Sequence, residues 1–191
     1  MPRKIETSKH FEEHYSSVLK HSLSKSEVSR LDAFEQADIN AFNKAINEPI
    51  YDLLDRGGKQ WRPLMGLMLA ECFGREIEQI EQNKDVYFTC GITELIHNGS
   101  LIVDDIEDSS LMRRGDLCTY KKFGIDVSVN AGNFLYFAPM QKLDSFVADP
   151  KVQLAMHKIY VEEMVNIHFG QGWDIFWHNS KGKVPTQAQY L

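Results

Sequence analysis

The chain has 191 residues, 43% apolar and 25% charged, with a net charge of −6. That length suits one hydrophobic core, so a single domain over 1–191 is expected, and the acidic balance excludes a general basic field for nucleic acid. Three cysteines without CxxC spacing, no apolar leader and no apolar run near the roughly 18 residues of a membrane span argue against a disulfide framework, a zinc site and a membrane span, and point to a cytoplasmic protein.

The predicted elements are helices joined by short loops. Residues 1–23 form a polar arm with a weak amphipathic pattern from Phe11 to Leu23. Apolar residues from Val28 to Leu54 recur at steps of mostly three to five, which predicts one helix over 26–54, or two with a break near Pro49. Gly57-Gly58 ends it, and Pro63 suits the first turn of a helix that stops at Gly74. Residues 77–105 predict a long central helix, apolar nearly all round from Val86 to Val103. Its polar exceptions, Glu94, His97, Asp104 and Asp108, keep to one face and require partners or a ligand. A charged, glycine-bearing loop is expected over 110–124, then helices over 126–146 and 151–178. The second of these is expected to be largely buried. Pro185-Thr186 opens another helix just before the last residues given, which suggests a fragment or a truncation.

Chemistry concentrates at residues 104–108, DDIED, and 113–115, RRG. At ~4 Å each like-charge pair costs about 1 kcal/mol in water and about 4 kcal/mol near a protein surface, so the cluster calls for cations. Asp104 and Asp108, at i and i+4, project together and could hold Mg²⁺ beside a diphosphate. Asp105 is turned about 100° away and is better placed to support them. Arg113 and Arg114 offer planar forks for phosphate oxygens. In GGKQWRP at 57–63, the glycines let backbone approach a ligand, and Lys59 and Arg62 flank a helix start that favours anions. GQGWD at 170–174 sets Gln171 and Asp174 three apart. Each element alone has a plainer reading: a solvated helix end, a surface arginine pair or one bonded to the aspartates, a turn, and core polar groups. Trp61, Trp173 and Trp177 are expected to be packing residues.

In this order the motifs resemble the trans-isoprenyl diphosphate synthase (polyprenyl synthetase) family. The stretch HNGSLIVDDIEDSSLMRRG at 97–115 carries the likeness, with GGKQWRP and GQGWD beside it. NAGNFLYF at 130–137, GQGWDIFWHN at 170–179 and PTQAQYL at 185–191 lean it toward the eukaryotic geranylgeranyl diphosphate synthases.

The resemblance implies an all-α, isoprenoid-synthase-type bundle around a central cavity, incomplete at the C-terminus, and a homodimer. It implies a prenyltransferase that joins isopentenyl diphosphate to an allylic diphosphate (dimethylallyl, geranyl or farnesyl). Asp104 and Asp108 would bind Mg²⁺, with Asp105 and Arg113 completing the catalytic group. Arg113 would also hold the allylic diphosphate. Gly58, Lys59, Arg62, His97 and Arg114 would bind isopentenyl diphosphate, Gln171 would line the allylic side, and Asp174 would stand near the metal. Small Gly99 and Ser100 would leave the growing tail free, and Tyr136, Phe137 and His168 would close the tunnel at a twenty-carbon product. The family's Lys-Thr motif and second aspartate-rich motif are absent from this sequence, so the chain alone is expected to be inactive or very weak. Two other readings are a class I terpene cyclase, which has no need of a second phosphate site, and a non-catalytic partner subunit of a full-length synthase.

Overall fold

A computed structural model describes residues 40–74, 84–180 and 185–190. The polar arm 1–23, the stretch 26–39 and the start of the expected long helix lie outside these residues. The chain divides into two compact units, Met1–Phe146 and Val147–Leu191.

In the first unit a π-helical turn, Asn43–Asn47, runs into α1, Glu48–Leu54. Pro49 has no N–H, and its ring crowds the carbonyl four residues back. The wider turn just before it, closed by the Glu48 N–H on the Asn43 carbonyl, absorbs that defect. The expected break is therefore a change of pitch. Gly57, at φ 72°, lets the chain leave α1. Helix α2 spans Trp61–Cys72, and α3 spans Lys84–Glu107.

The expected loop over 110–124 contains structure that the sequence did not announce. Strands β1, Met112–Arg113, and β2, Asp116–Leu117, pair antiparallel with Arg113 opposite Asp116. Arg114 at φ 51° and Gly115 at φ 83° supply the two left-handed positions of a tight hairpin turn whose twist matches the strands. A short helix α4, Thr119–Phe123, follows, and α5 spans Ile125–Phe146.

The core of this unit joins Ile50 and Leu53 of α1, Leu67 of α2, Leu95 and Ile102 of α3, and Ala131 and Leu135 of α5. Each fully buried Leu or Ile contributes about 1.5–3 kcal/mol. Two close crossings set the helix spacing. A Cβ on Gly66 would lie 2.9 Å from the Cys90 sulfur, and one on Gly99 would lie 2.7 Å from the Gly132 carbonyl oxygen. Gly99, expected to leave room for a growing tail, is small because α5 crosses it.

The second unit holds α6, Pro150–Asn179, and α7, Gln187–Tyr190. The Asp149 side chain accepts a hydrogen bond from the Lys151 N–H and caps α6, whose first residue is proline. The expectation that α6 is largely buried is corrected: none of its residues is buried. Its apolar residues are spread around the helix rather than gathered on one face, and within this unit the four-residue α7 is the one other helix among the described residues. Among the described residues no helix is long and apolar enough to cross a membrane, and all three cysteines are free thiols.

Gly99→Ala is expected to lower the urea midpoint. The overlap costs about 1–3 kcal/mol, against a helix-propensity gain of about 1 kcal/mol. An unchanged or raised midpoint would show that the crossing has slack.

Candidate functional site

Helix α3 ends where its macrodipole is negative, yet its last turns carry Asp104, Asp105, Glu107 and Asp108 and its last turn no basic residue. The end is held by its backbone. Ser109, at φ 55°, takes the left-handed cap position, with Ser109 N–H on the Ile106 carbonyl (3.1 Å) and Ser110 N–H on the Asp105 carbonyl (2.9 Å). Cations must therefore come from elsewhere in the chain or from a ligand.

The hairpin supplies the first. Arg113 donates from Nε to Asp105 Oδ1 at 2.8 Å, from Nη2 to the same oxygen at 2.5 Å, and from Nη2 to Asp104 Oδ2 at 3.4 Å. Asp105 is buried beneath it, its side chain 1% exposed. That hydrogen bond pushes the Arg113 pKa further up. The arginine is thus bonded to the acidic cluster itself, which was its plainer reading. Asp105, grouped above with the catalytic side chains, is the buried anchor of Arg113, while Asp104 is half-buried and Asp108 exposed. Burial, then its hydrogen bond and charge contact with Asp105, push the Cys118 thiol up to about 11, so that thiol stays protonated beside the pair.

Asp104 and Asp108 remain as candidate ligands. Among the described residues no three His, Cys, Asp or Glu side chains stand close enough to hold an ion by themselves. Two carboxylates completed by phosphate oxygens and water are a set that Mg²⁺ accepts. The donors fit an ion that arrives with a phosphorylated ligand, not a caged one.

A second cluster begins two helical turns earlier, roughly 10 Å along α3. Burial pushes the His97 pKa down to about 4, and Arg62, Arg114 and Arg113 push it further in the same direction. Burial raises the Glu94 pKa, opposed by Arg62, an Asn98 hydrogen bond and Arg114. Asn98 Nδ2 donates to the Glu94 backbone carbonyl at 2.6 Å and to Oε1 at 3.3 Å. The polar face expected to need partners is only partly supplied: Glu94 Oε2 and Asn98 Oδ1 are buried without a hydrogen bond, and three guanidinium groups bear on one neutral imidazole. That is a locally cationic site in an acidic chain.

Each arginine is placed from a different element. Arg62 lies 4.7 Å over the Trp61 ring at the start of α2. Trp61, expected as a packing residue, is half-exposed and carries that cation. Arg114 donates from Nη1 to the Leu53 carbonyl at 3.3 Å. A Cβ on Gly58 would lie 3.1 Å from its Nη2, so Gly58 makes room for Arg114. Lys59 is exposed beside them. Gln60, at φ 45°, starts α2 without a side-chain cap, which leaves N–H groups of its first turn for an anion.

Other sequence-predicted residues fall elsewhere. The Ser100 hydroxyl donates to the His97 carbonyl at 2.9 Å. Tyr136 is half-buried against Gly99, whereas Phe137, one residue on, is 72% exposed. Consecutive helical residues point about 100° apart, so the two present different directions here. His168, Gln171 and Asp174 lie on α6 in the second unit. His168 Nδ1 lies 2.7 Å from the Met164 carbonyl, Gln171 is half-buried and Asp174 exposed. Trp173 stacks on Trp177 at 5.5 Å.

Sequence reasoning missed Asp52, Arg56, Asp116 and Lys122, which link α1, the hairpin and α4 through ion pairs. The Asp52/Arg56 spacing of four residues was the available signal.

The family model described as polyprenyl synthetase matches residues 43–191, which include every candidate position from Gly58 to Asp174. The chain belongs to the polyprenyl synthetase family. The chain is 35% identical over 150 residues to a geranylgeranyl pyrophosphate synthase of Metarhizium robertsii, covering 78% of this chain and 41% of that protein. It is 37% identical over 160 residues to geranylgeranyl pyrophosphate synthase 2 of Zymoseptoria tritici, covering 84% and 45%. Geranylgeranyl pyrophosphate synthetase from the archaeon Geoglobus acetivorans shares the fold, with a TM-score of 0.72 and 24% identity over 95% of this chain and 52% of that one. The chain spans less than half the length of the curated relatives it matches.

Two outcomes follow from this geometry. His97 should titrate near pH 4 by NMR and move up in Arg62→Gln; a midpoint at the ordinary value near 6.5 would contradict the clustered arginines. Because its folded pKa is depressed, the folded state binds fewer protons than the unfolded one between about pH 6.5 and 4, and His97 makes stability fall as pH drops through that window. Asp105→Asn leaves Arg113 without its buried partner and should cost about 3 kcal/mol in urea unfolding. A loss within about 0.5 kcal/mol would show that the pair behaves as a surface contact.

Proposed function

We propose that this chain carries diphosphate-binding machinery of a trans-prenyltransferase that joins isopentenyl diphosphate to an allylic diphosphate, dimethylallyl, geranyl or farnesyl. The observation that carries this reading is the pairing of two separate charge sites along α3. One is an acidic end where Asp104 and Asp108 stand beside Arg113; the other is a cationic site of Arg62 and Arg114 around neutral His97. A condensation of two diphosphates needs two such anchors.

Asp104 and Asp108 would hold Mg²⁺, which when bound supplies positive charge to an allylic diphosphate as it leaves. Arg113, fixed on Asp105, places a guanidinium at the same end of α3. Arg62, Arg114, Lys59 and the first N–H groups of α2 would take the isopentenyl diphosphate. His97 stays neutral among the arginines, so it adds no repulsion before the anion arrives, and the anion's charge would raise its pKa. A carbocation formed at that end of α3 would need apolar, water-poor surroundings.

The names of the curated relatives support a twenty-carbon product. Half-buried Tyr136 is the better placed in this chain to limit the tail, with Ser100 leaving room above it and Phe137 exposed beside it. On α6, Gln171 would line the allylic side, Asp174 would stand near the metal and His168 near the floor; these rest on the motif resemblance. A homodimer and a cytoplasmic site of action belong to the same reading.

Calorimetric titration of farnesyl diphosphate into the purified chain in Mg²⁺ tests it. Binding should weaken about 30-fold or more in Asp104→Asn/Asp108→Asn, from about 2 kcal/mol for a truncated charge contact. Equal affinity in the wild type and the double variant would overturn the assignment.

A further inference from the structure

The hairpin that carries Arg113 and Arg114 is held by charges that the site does not otherwise use. Arg56 follows α1, and its side chain is 9% exposed. It donates from Nε to the Asp52 carbonyl at 2.9 Å and from Nη2 to the Asp52 carboxylate. From Nη1 it donates to the backbone carbonyl of Arg113 at 2.9 Å. Its Nη2 also lies 3.7 Å from Asp116 Oδ2, on the strand opposite Arg113. Lys122 of α4 completes the ring, bonded to the Asp52 carboxylate and to Asp116 Oδ2 at 2.9 Å. Two cations and two anions alternate beside the turn end of the hairpin.

Such a ring answers a specific mechanical need. The hairpin has two residues per strand, too few to hold itself in water. Its turn keeps a non-glycine residue, Arg114, at φ 51°, a strain of about 1–3 kcal/mol that persists only where the surroundings over-determine it. Arg56 reaches the carbonyl of the very residue whose side chain sits on Asp105, so it sets the depth at which Arg113 stands.

We propose that Asp52, Arg56, Asp116 and Lys122 are positioning residues: they clamp the Arg113-Arg114 hairpin so that each guanidinium meets the diphosphate at its own end of the loop, an anion that none of the four need touch. This rests on the reading of Arg113 and Arg114 as diphosphate-binding residues. Lysine at 56 keeps the charge but lacks a fork able to bridge Asp52 and the Arg113 carbonyl together.

The test uses inorganic diphosphate with Mg²⁺ as the probe, titrated calorimetrically into the wild type, Arg56→Gln, Arg56→Lys, Lys122→Gln and Arg113→Gln, each shown to melt cooperatively. Arg56→Gln should weaken binding about tenfold, Arg56→Lys nearly as much, and the milder Lys122→Gln two- to threefold. In an Arg113→Gln background the Arg56→Gln effect should shrink, since the clamp acts through that side chain. The Arg113 Nε resonance should shift in Arg56→Gln without any ligand. Wild-type affinity in Arg56→Gln, full rescue by Arg56→Lys, or strict additivity with Arg113→Gln would overturn the clamp alone. Absence of binding by the wild type would overturn the diphosphate reading and the clamp with it.

Discussion

The buried ion pair between Asp105 and Arg113 organises this end of the molecule. A helix that ends in four carboxylates works against its own dipole and against mutual repulsion. The structure relieves part of that conflict by turning one carboxylate inward under an arginine from the next loop. The relief is incomplete. Asp104 keeps a longer contact at 3.4 Å, and Asp108 stays exposed, so the outer face still favours a cation.

That division of labour explains why the loop after α3 is built as a hairpin. Arg113 must return toward the helix it has just left, and a tight turn through Arg114 and Gly115 reverses the chain within two residues. The reversal aims Arg114 at Leu53 and Gly58, beneath the start of α2, while Arg113 stays on Asp105. One short loop therefore serves both charge sites along α3. The Gly99–Gly132 crossing and the shared core of α1, α2, α3 and α5 hold the platform on which this happens.

Much of this was legible in the sequence. The 3.6-residue periodicity pointed to the long helices but not to the short α4, and HNGSLIVDDIEDSSLMRRG and GGKQWRP drew attention to Asp104, Asp108, Arg62, His97 and both hairpin arginines. Two-residue strands carry no alternation to read, so β1 and β2 were missed, and Arg-Gly is a weak hairpin signal beside Asn-Gly. Asp105 was read as rotated from its neighbours, but which partner lay on that side depended on where the loop folded. Gly99 looked like an open position because smallness has two causes, a passing ligand or a crossing helix. Helix α6 was expected to be largely buried, and it carries many apolar residues. Apolar composition states a demand for cover, and none of its residues is covered.

The central claim is that the outer face of α3 needs a divalent cation and a diphosphate together, each supplying charge that the other lacks. Thermal unfolding midpoints with Mg²⁺ alone, inorganic diphosphate alone and both together measure this directly. A joint shift clearly larger than the sum of the separate shifts is predicted for the wild-type chain, and with both Asp104 and Asp108 neutralised that excess should vanish. Strictly additive shifts, or an excess that survives the loss of both carboxylates, would contradict the account.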